Sequence, residues 1–204
     1  DSFYEGTLDK FKEEHAELFR QDGELKANFI KAEKAIARSL RDPLFQEYMS
    51  GEKQVIMTGE LFGSKWKIKM DSYHPGRAIV DLKYMQSLTK FGYVPDIGYL
   101  DFVRYWGYDL QGAIYQEIVY QNTGKRLPFY IAGISKEEAM NIEVIYIHDN
   151  YLKEAMKVIE SRMPRILQVK YHGAKPDRCE QCIWCRDTKV LTKPIGIGDL
   201  TASL

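Results

Sequence analysis

Asp71 and, ten residues on, Asp81-Leu82-Lys83 have the residue types and the spacing that metal-assisted hydrolysis of a phosphodiester requires. Polar and apolar residues alternate on both sides of Pro75-Gly76, which predicts two strands joined by a turn, each with one buried face. Lys65, Lys67, Lys69 and Asp71 share one face of the first strand, and Trp66, Ile68 and Met70 the other. On the second strand Asp81 and Lys83 share a face, with Ala78, Val80 and Leu82 opposite. A Pro75-Gly76-Arg77 loop places Asp71 directly across from Asp81, whereas a two-residue loop would send the carboxylates to opposite faces. The three-residue loop is expected, since only it lets Met70 and Val80 line one core.

Carboxylates about 5 Å apart across a strand pair repel unless a cation lies between them. Mg2+, or Mn2+ in its place, suits two carboxylates, several waters and a substrate phosphate. Such an ion would orient and acidify a water and neutralise charge on the cleaved ester. Lys83, beside two acids, is assigned to phosphate stabilisation and water positioning. The plainer alternative is a surface ion-pair cluster on a solvated sheet.

Further on, Tyr108-Asp109-Leu110-Gln111-Gly112-Ala113-Ile114-Tyr115 falls on a predicted helix, with Gln111 and Tyr115 on one face. Together with the hairpin this resembles the PD-(D/E)xK nuclease superfamily, specifically its RecB-like branch and the phage or prophage exonuclease VIII (RecE-like) group. The resemblance implies that Asp71 and Asp81 are metal ligands with the Leu82 carbonyl as a third. It makes Lys83 the catalytic lysine, and has Gln111 and Tyr115 brace the site or contact nucleic acid. Glu60, at the end of the preceding strand, takes the place of one further acid ligand. RecB-like enzymes also supply a histidine from an upstream helix. The upstream histidine here is His15, in a segment that reads as solvated, so that ligand is expected from residues before Asp1, where the chain opens without methionine.

All three cysteines crowd into Cys179, Cys182 and Cys185, a C-x2-C-x2-C run that suggests a metal site rather than scattered core thiols. Zinc and iron–sulfur centres normally take four protein ligands, and His172 is the nearby candidate for the fourth. The resemblance adds an iron–sulfur precedent in AddB-like nucleases, where one further cysteine lies far upstream. Zn2+, an iron–sulfur cluster and unligated thiols all remain open readings. A disulfide is disfavoured by the odd count and by an expected cytoplasmic setting.

These groups need a scaffold, and 204 residues suffice for one sizeable core. Lys and Arg, 29 in all, balance 29 Asp and Glu, so DNA affinity must come from a local stripe. Lys65, Lys67 and Lys69 offer one, although a merely solvated face has the same pattern. No membrane span or secretory signal is expected. Glu24 to Leu40 has an amphipathic helix's spacing at Leu25, Phe29, Ala32, Ala35, Ile36 and Leu40, and Asp42-Pro43 opens a second helix. Residues 54–60, 64–73 and 78–85 read as strands, 91–100 as a long loop and 101–123 as a helix ended by Gly124. Strands at 127–135 and 143–148 follow, then a helix at 151–168 that Pro164 is expected to kink or shorten. Phe102, Tyr105, Trp106 and Tyr108 are aromatics that could stack on unpaired bases, but on a helix they read first as core.

The order α-β-β-β-α-β-β-α predicts an α+β fold with a central mixed sheet flanked by helices, a restriction-endonuclease-like core. Three segments are expected: an N-terminal helical segment (1–50), the nuclease core (51–170) and a cysteine-containing tail (171–204). The reading is an Mg-dependent exodeoxyribonuclease of phage or prophage recombination that acts on DNA. By resemblance it would hand single strands to an annealing protein and can form a homo-oligomer. The alternatives are an endonuclease on the same scaffold and a catalytically silent DNA-binding or assembly module.

Overall fold

The computed structural model describes residues 12, 14–94, 97–180 and 182–198. A 3-10 turn (Ala16–Leu18) precedes helices α1 (Ala27–Leu40) and α2 (Pro43–Tyr48), then strands β1 (Glu52–Leu61), β2 (Ser64–His74) and β3 (Ala78–Met85). A short β4 (Gly92–Val94) and β5 (Gly98–Leu100) lead to α3 (Phe102–Tyr105) and α4 (Tyr108–Thr123). Strands β6 (Phe129–Ser135) and β7 (Ile142–Ile147), then α5 (Asp149–Tyr171) and α6 (Ile183–Asp187), complete the order.

Five strands form one mixed sheet in the order β1-β2-β3-β6-β7, so the architecture is the α+β fold the sequence predicts. β2 and β3 are antiparallel, with Ser72 opposite Val80, Tyr73 opposite Ile79 and His74 opposite Ala78, the register of the three-residue loop. Gly76 sits in that loop at φ 72, a left-handed conformation that glycine adopts freely. β3 and β6 are parallel, and a parallel pair cannot be joined by a tight turn. The chain therefore crosses between them through β4, β5, α3 and α4.

That position makes β3 a two-sided strand: Ala78, Ile79, Val80 and Asp81 are all buried. On one face Ala78 and Val80 join Ala132 and Ile134 against Ala35 of α1 and Phe45 of α2. Asp42 caps α2 by accepting the Phe45 N–H at 2.9 Å, ahead of Pro43 at a position that needs no N–H. On the other face lies α4, where the Tyr115 ring meets Phe129 edge-on at 6.0 Å. A Cβ on Gly112 would stand 2.6 Å from the Phe129 ring, so the missing side chain lets α4 lie close to the sheet. A third cluster, Met85, Leu88 and Phe102, fixes α3 to the end of β3.

Several expectations are revised. Met70 is fully buried but lies outside the cluster around Val80, because the β2–β3 ladder stops at Ser72 and Val80. Ile36 and Leu40 are exposed, so the buried stripe of α1 runs through Phe29, Ala32 and Ala35. The segment 91–100 is not a bare loop, since β4 and β5 pair within it. The predicted helix over 101–123 is two helices, broken where Gly107 adopts φ 68. Pro164 does not end α5, which runs on to Tyr171. The Glu160 carbonyl it leaves without an N–H belongs to an exposed residue, where water can serve.

The chain forms two compact units, Asp1–Ser161 and Arg162–Leu204. Residues 1–50 are thus not a separate segment, because Ala35 and Phe45 complete the sheet's core. In the second unit Arg165 donates to Asp177 at 2.8 Å and to the Lys175 carbonyl at 2.6 Å. Among the described residues no helix is long and apolar enough to cross a membrane.

Gly112→Val forces a branched side chain into the Phe129 ring. It is expected to lower stability by about 1–3 kcal/mol, the range for overpacked cores, read as a reduced midpoint in chemical denaturation.

Candidate active site

Asp81 occupies the central strand with only 3% of its surface exposed, so its carboxylate must find compensation inside the protein. Gln111 on α4 donates to its Oδ1 at 2.7 Å, and the Lys83 ammonium lies 2.5 Å from its Oδ2. Lys83 also donates to Gln111 Oε1 at 3.0 Å, so the amide of Gln111 serves acid and base at once. The face of the Tyr108 ring stands 4.6 Å from the same ammonium, a cation–π contact. Residues 108 and 111, one helical turn apart on α4, thereby hold both charged groups.

This compensation is incomplete. Burial raises the Asp81 pKa above the usual carboxylate range, and the charge of Asp71 pushes the same way against Lys83 and Gln111. Its Oδ2 has no hydrogen-bond partner among the described residues: the Lys83 contact is a close ion pair without a hydrogen bond's direction. Proximity is the firmer of these two facts, since an ammonium 2.5 Å away acts through charge whatever its angle.

Asp71 is set by the end of the strand ladder. Ile79 sends its N–H to the Pro128 carbonyl, so by alternation Leu82 points its own toward β2. There the Asp71 carboxylate takes the place of a backbone carbonyl, Oδ2 accepting the Leu82 N–H at 2.9 Å. On its other side Gln54 donates to Asp71 Oδ1 at 2.9 Å. A carboxylate is thus held beside Asp81 where strands β2 and β3 part. An orphaned buried oxygen next to a second acid that raises its pKa is a donor set that a small divalent cation satisfies, so the residues fit such an ion.

Tyr115 donates its hydroxyl to the Lys69 carbonyl at 2.9 Å, tying α4 to β2 just ahead of Asp71. Lys65, Lys67 and Lys69 are exposed along β2. The structure does not bring Glu60 to the site. Glu60 pairs with Lys65, six residues before Asp71 on an extended strand, which is roughly 20 Å. The hairpin's length therefore removes it as a ligand. His15 is half-buried, its Nδ1 3.6 Å from Glu17, and forms no ligand cluster with the two aspartates. Sequence reasoning missed Gln54 and the role of Tyr108. Continuing the β1–β2 pairing through Phe62-Gly63 puts Gln54 opposite Asp71, and Tyr108 lies three residues before Gln111, so both were within reach.

The chain matches the family described as "PDDEXK-like domain of unknown function (DUF3799)" over residues 1–188. It belongs to this PDDEXK-like family. It is also similar to a crystal structure described as a "putative exonuclease" from Eubacterium rectale, at 63% identity and a TM-score of 0.86, over 100% of this chain and 76% of that one. No protein of curated function matches. Membership places the chain in the PD-(D/E)xK nuclease superfamily, as the residues of its hairpin and helix imply.

This PDDEXK-like chain carries a second cluster, in its C-terminal unit. The sulfur atoms of Cys179, Cys182 and Cys185 all lie within 4.8 Å of one another, with Cys179 and Cys185 at 3.8 Å. Backbone N–H groups of Cys182 and Cys185 donate to the sulfurs of Cys179 and Cys182, at 3.3 and 3.4 Å. Cys185 is buried while the other two are exposed. His172 does not join them, since it follows the end of α5 outside this group.

Replacing Gln111 by Ala takes the donor from a buried carboxylate oxygen. The expected loss is about 1–3 kcal/mol of stability, measured by denaturant unfolding without divalent ions.

Proposed function

We propose that the protein is a divalent-metal-dependent deoxyribonuclease, an exonuclease of the phage or prophage recombination type. The observation that carries this is the buried Asp81 Oδ2 without a hydrogen bond, set between the Lys83 ammonium and the Asp71 carboxylate. Asp71 and Asp81, with the Leu82 carbonyl, would hold Mg2+ or Mn2+. When bound, the ion would supply an acidified water and neutralise charge on the phosphate.

The chain's own residues do the remainder. Lys83, fixed by Asp81, Gln111 and the Tyr108 ring, presents its ammonium to the oxygens that gain charge as the phosphodiester is attacked. Gln111 keeps that ammonium from swinging out, and Tyr115 keeps α4 seated on β2. Lys65, Lys67 and Lys69 give the DNA backbone a track toward Asp71, where the near-zero formal charge of the whole offers no general attraction. The description of the Eubacterium rectale relative supports exonuclease over endonuclease action. In that role the enzyme would leave single strands for an annealing protein.

Asp81→Ala is expected to abolish Mg-dependent digestion of linear DNA while leaving DNA binding in chelator within about twofold. Lys83→Ala should lower kcat by at least about a hundredfold, the scale for losing one preorganised charge stabiliser. Wild type and Asp81→Ala digesting equally would leave a silent DNA-binding module. Cleavage of closed circular DNA as fast as linear would make the enzyme an endonuclease.

The cysteine cluster is proposed as a site for Zn2+ or an iron–sulfur cluster. Sulfurs 3.8 Å apart match the edge of a tetrahedron with metal–sulfur bonds of about 2.3 Å. Anaerobically purified protein should carry zinc or iron by elemental analysis, and Cys182→Ser should lose it. Metal-free wild type would leave three plain thiols.

A further inference from the structure

We propose that exposed aromatic side chains on the β4–β5 hairpin and α3 form a stacking platform for unpaired bases of the DNA strand being cut. The inference rests on the nuclease reading above and names the substrate form that reading leaves open.

The platform begins with residues that a helical reading would bury. Trp106 is 62% exposed and Tyr105 42%, at the end of α3. Their rings meet edge-on at 5.2 Å. Across the hairpin Tyr93 and Tyr99 oppose each other in register, rings 5.4 Å apart, and Tyr99 is 74% exposed. These two groups form one surface. A Cβ on Gly92 would stand 2.0 Å from the Tyr105 ring, so that ring lies directly on the β4 backbone.

The surface is fixed relative to the proposed catalytic groups. Phe102 of α3 packs with Met85 and Leu88 at the end of the strand that carries Asp81 and Lys83. Gly107, at φ 68, turns the chain from Trp106 into α4, and the next residue, Tyr108, lays its ring against the Lys83 ammonium. Two residues therefore separate Trp106 from a group touching Lys83, a reach of at most about 7 Å along the backbone.

Exposing four aromatic rings on a two-stranded hairpin costs hydrophobic free energy that such a small element does not recover by itself. Nucleobases supply flat apolar partners at this location, and stacking is indifferent to sequence, as a general nuclease needs. In a duplex the base faces are already stacked on each other, so the rings select nucleotides that have left it. Exposed Lys90, just before the hairpin, suits the accompanying phosphates.

The test compares wild type with Tyr99→Ala/Trp106→Ala, both at exposed positions, using a labelled oligothymidylate in chelator and fluorescence anisotropy. One lost base contact is worth about 1–3 kcal/mol, so affinity should fall about 5- to 100-fold, with binding to blunt duplex unchanged. In digestion, KM for duplex bearing a single-stranded end should rise while kcat stays within about twofold, and Trp106→Phe should restore it. Unchanged oligonucleotide affinity overturns the platform, even with cleavage intact. Equal loss on blunt duplex, or a change in oligomeric state by sedimentation, overturns it in favour of duplex contact or a second copy of the chain. Loss of oligonucleotide affinity in a protein that cuts nothing keeps the binding site and refutes the nuclease reading alone.

Discussion

Burying one carboxylate in the middle of a sheet is the constraint around which the rest of this protein is arranged. Asp81 cannot reach solvent, so the helix covering it must supply a donor and the adjacent Lys83 a charge. Gln111 meets that need only if α4 lies close to the sheet, which the absence of a side chain at Gly112 permits. Tyr115 and Phe129 then hold the helix at that height. A lone buried acid would cost several kcal/mol and would normally take up a proton. Here the surrounding groups oppose that without overcoming it, since the pKa stays raised. The balance resembles that of sites whose charge is completed by a bound cation, and it separates this cluster from a surface ion pair.

The second acid depends on a different constraint, the ending of a ladder. β2 pairs with β3 for only three residues and with β1 almost throughout. Where β3 leaves β2 to run beside β6, one backbone N–H is released, and Asp71 takes it. The two aspartates thus reach one place by different routes: one is buried by the layers, the other is drawn in by a broken hydrogen-bond pattern. Gln54 opposite, at φ 55, marks the same irregularity on β1.

Much of this was legible in the sequence because it is local. The alternation on either side of Pro75 contained the register, the two-residue signature Asp42-Pro43 contained the start of α2, and the i,i+4 spacing contained the shared face of Gln111 and Tyr115. What escaped depended on length and on third dimensions. Glu60 fails as a ligand because a strand carries its residues about 3.3 Å apart, and hairpin length was not weighed against the site. Met70 and Val80 part because the strands diverge, which periodicity does not encode. Gly107 inside an otherwise helical pattern was the visible sign of the break between α3 and α4, and with it of the outward turn of Trp106. His172 was proposed from proximity in sequence alone, which helix α5 does not convert into proximity in space.

The crossover from β3 to β6 carries β4, β5, α3 and the whole of α4 between two neighbouring strands whose own pairing is continuous from Ile79 to Met85. The reacting residues on β3 are therefore held by a sheet that does not depend on how much chain is spliced between its central strands. Segments before Tyr108 can grow, shrink or change composition while the acid and the ammonium stay where they are. In an evolutionary lineage built on this plan, preference for one kind of DNA terminus over another becomes an independently adjustable trait, free to diverge without retuning the hydrolytic step.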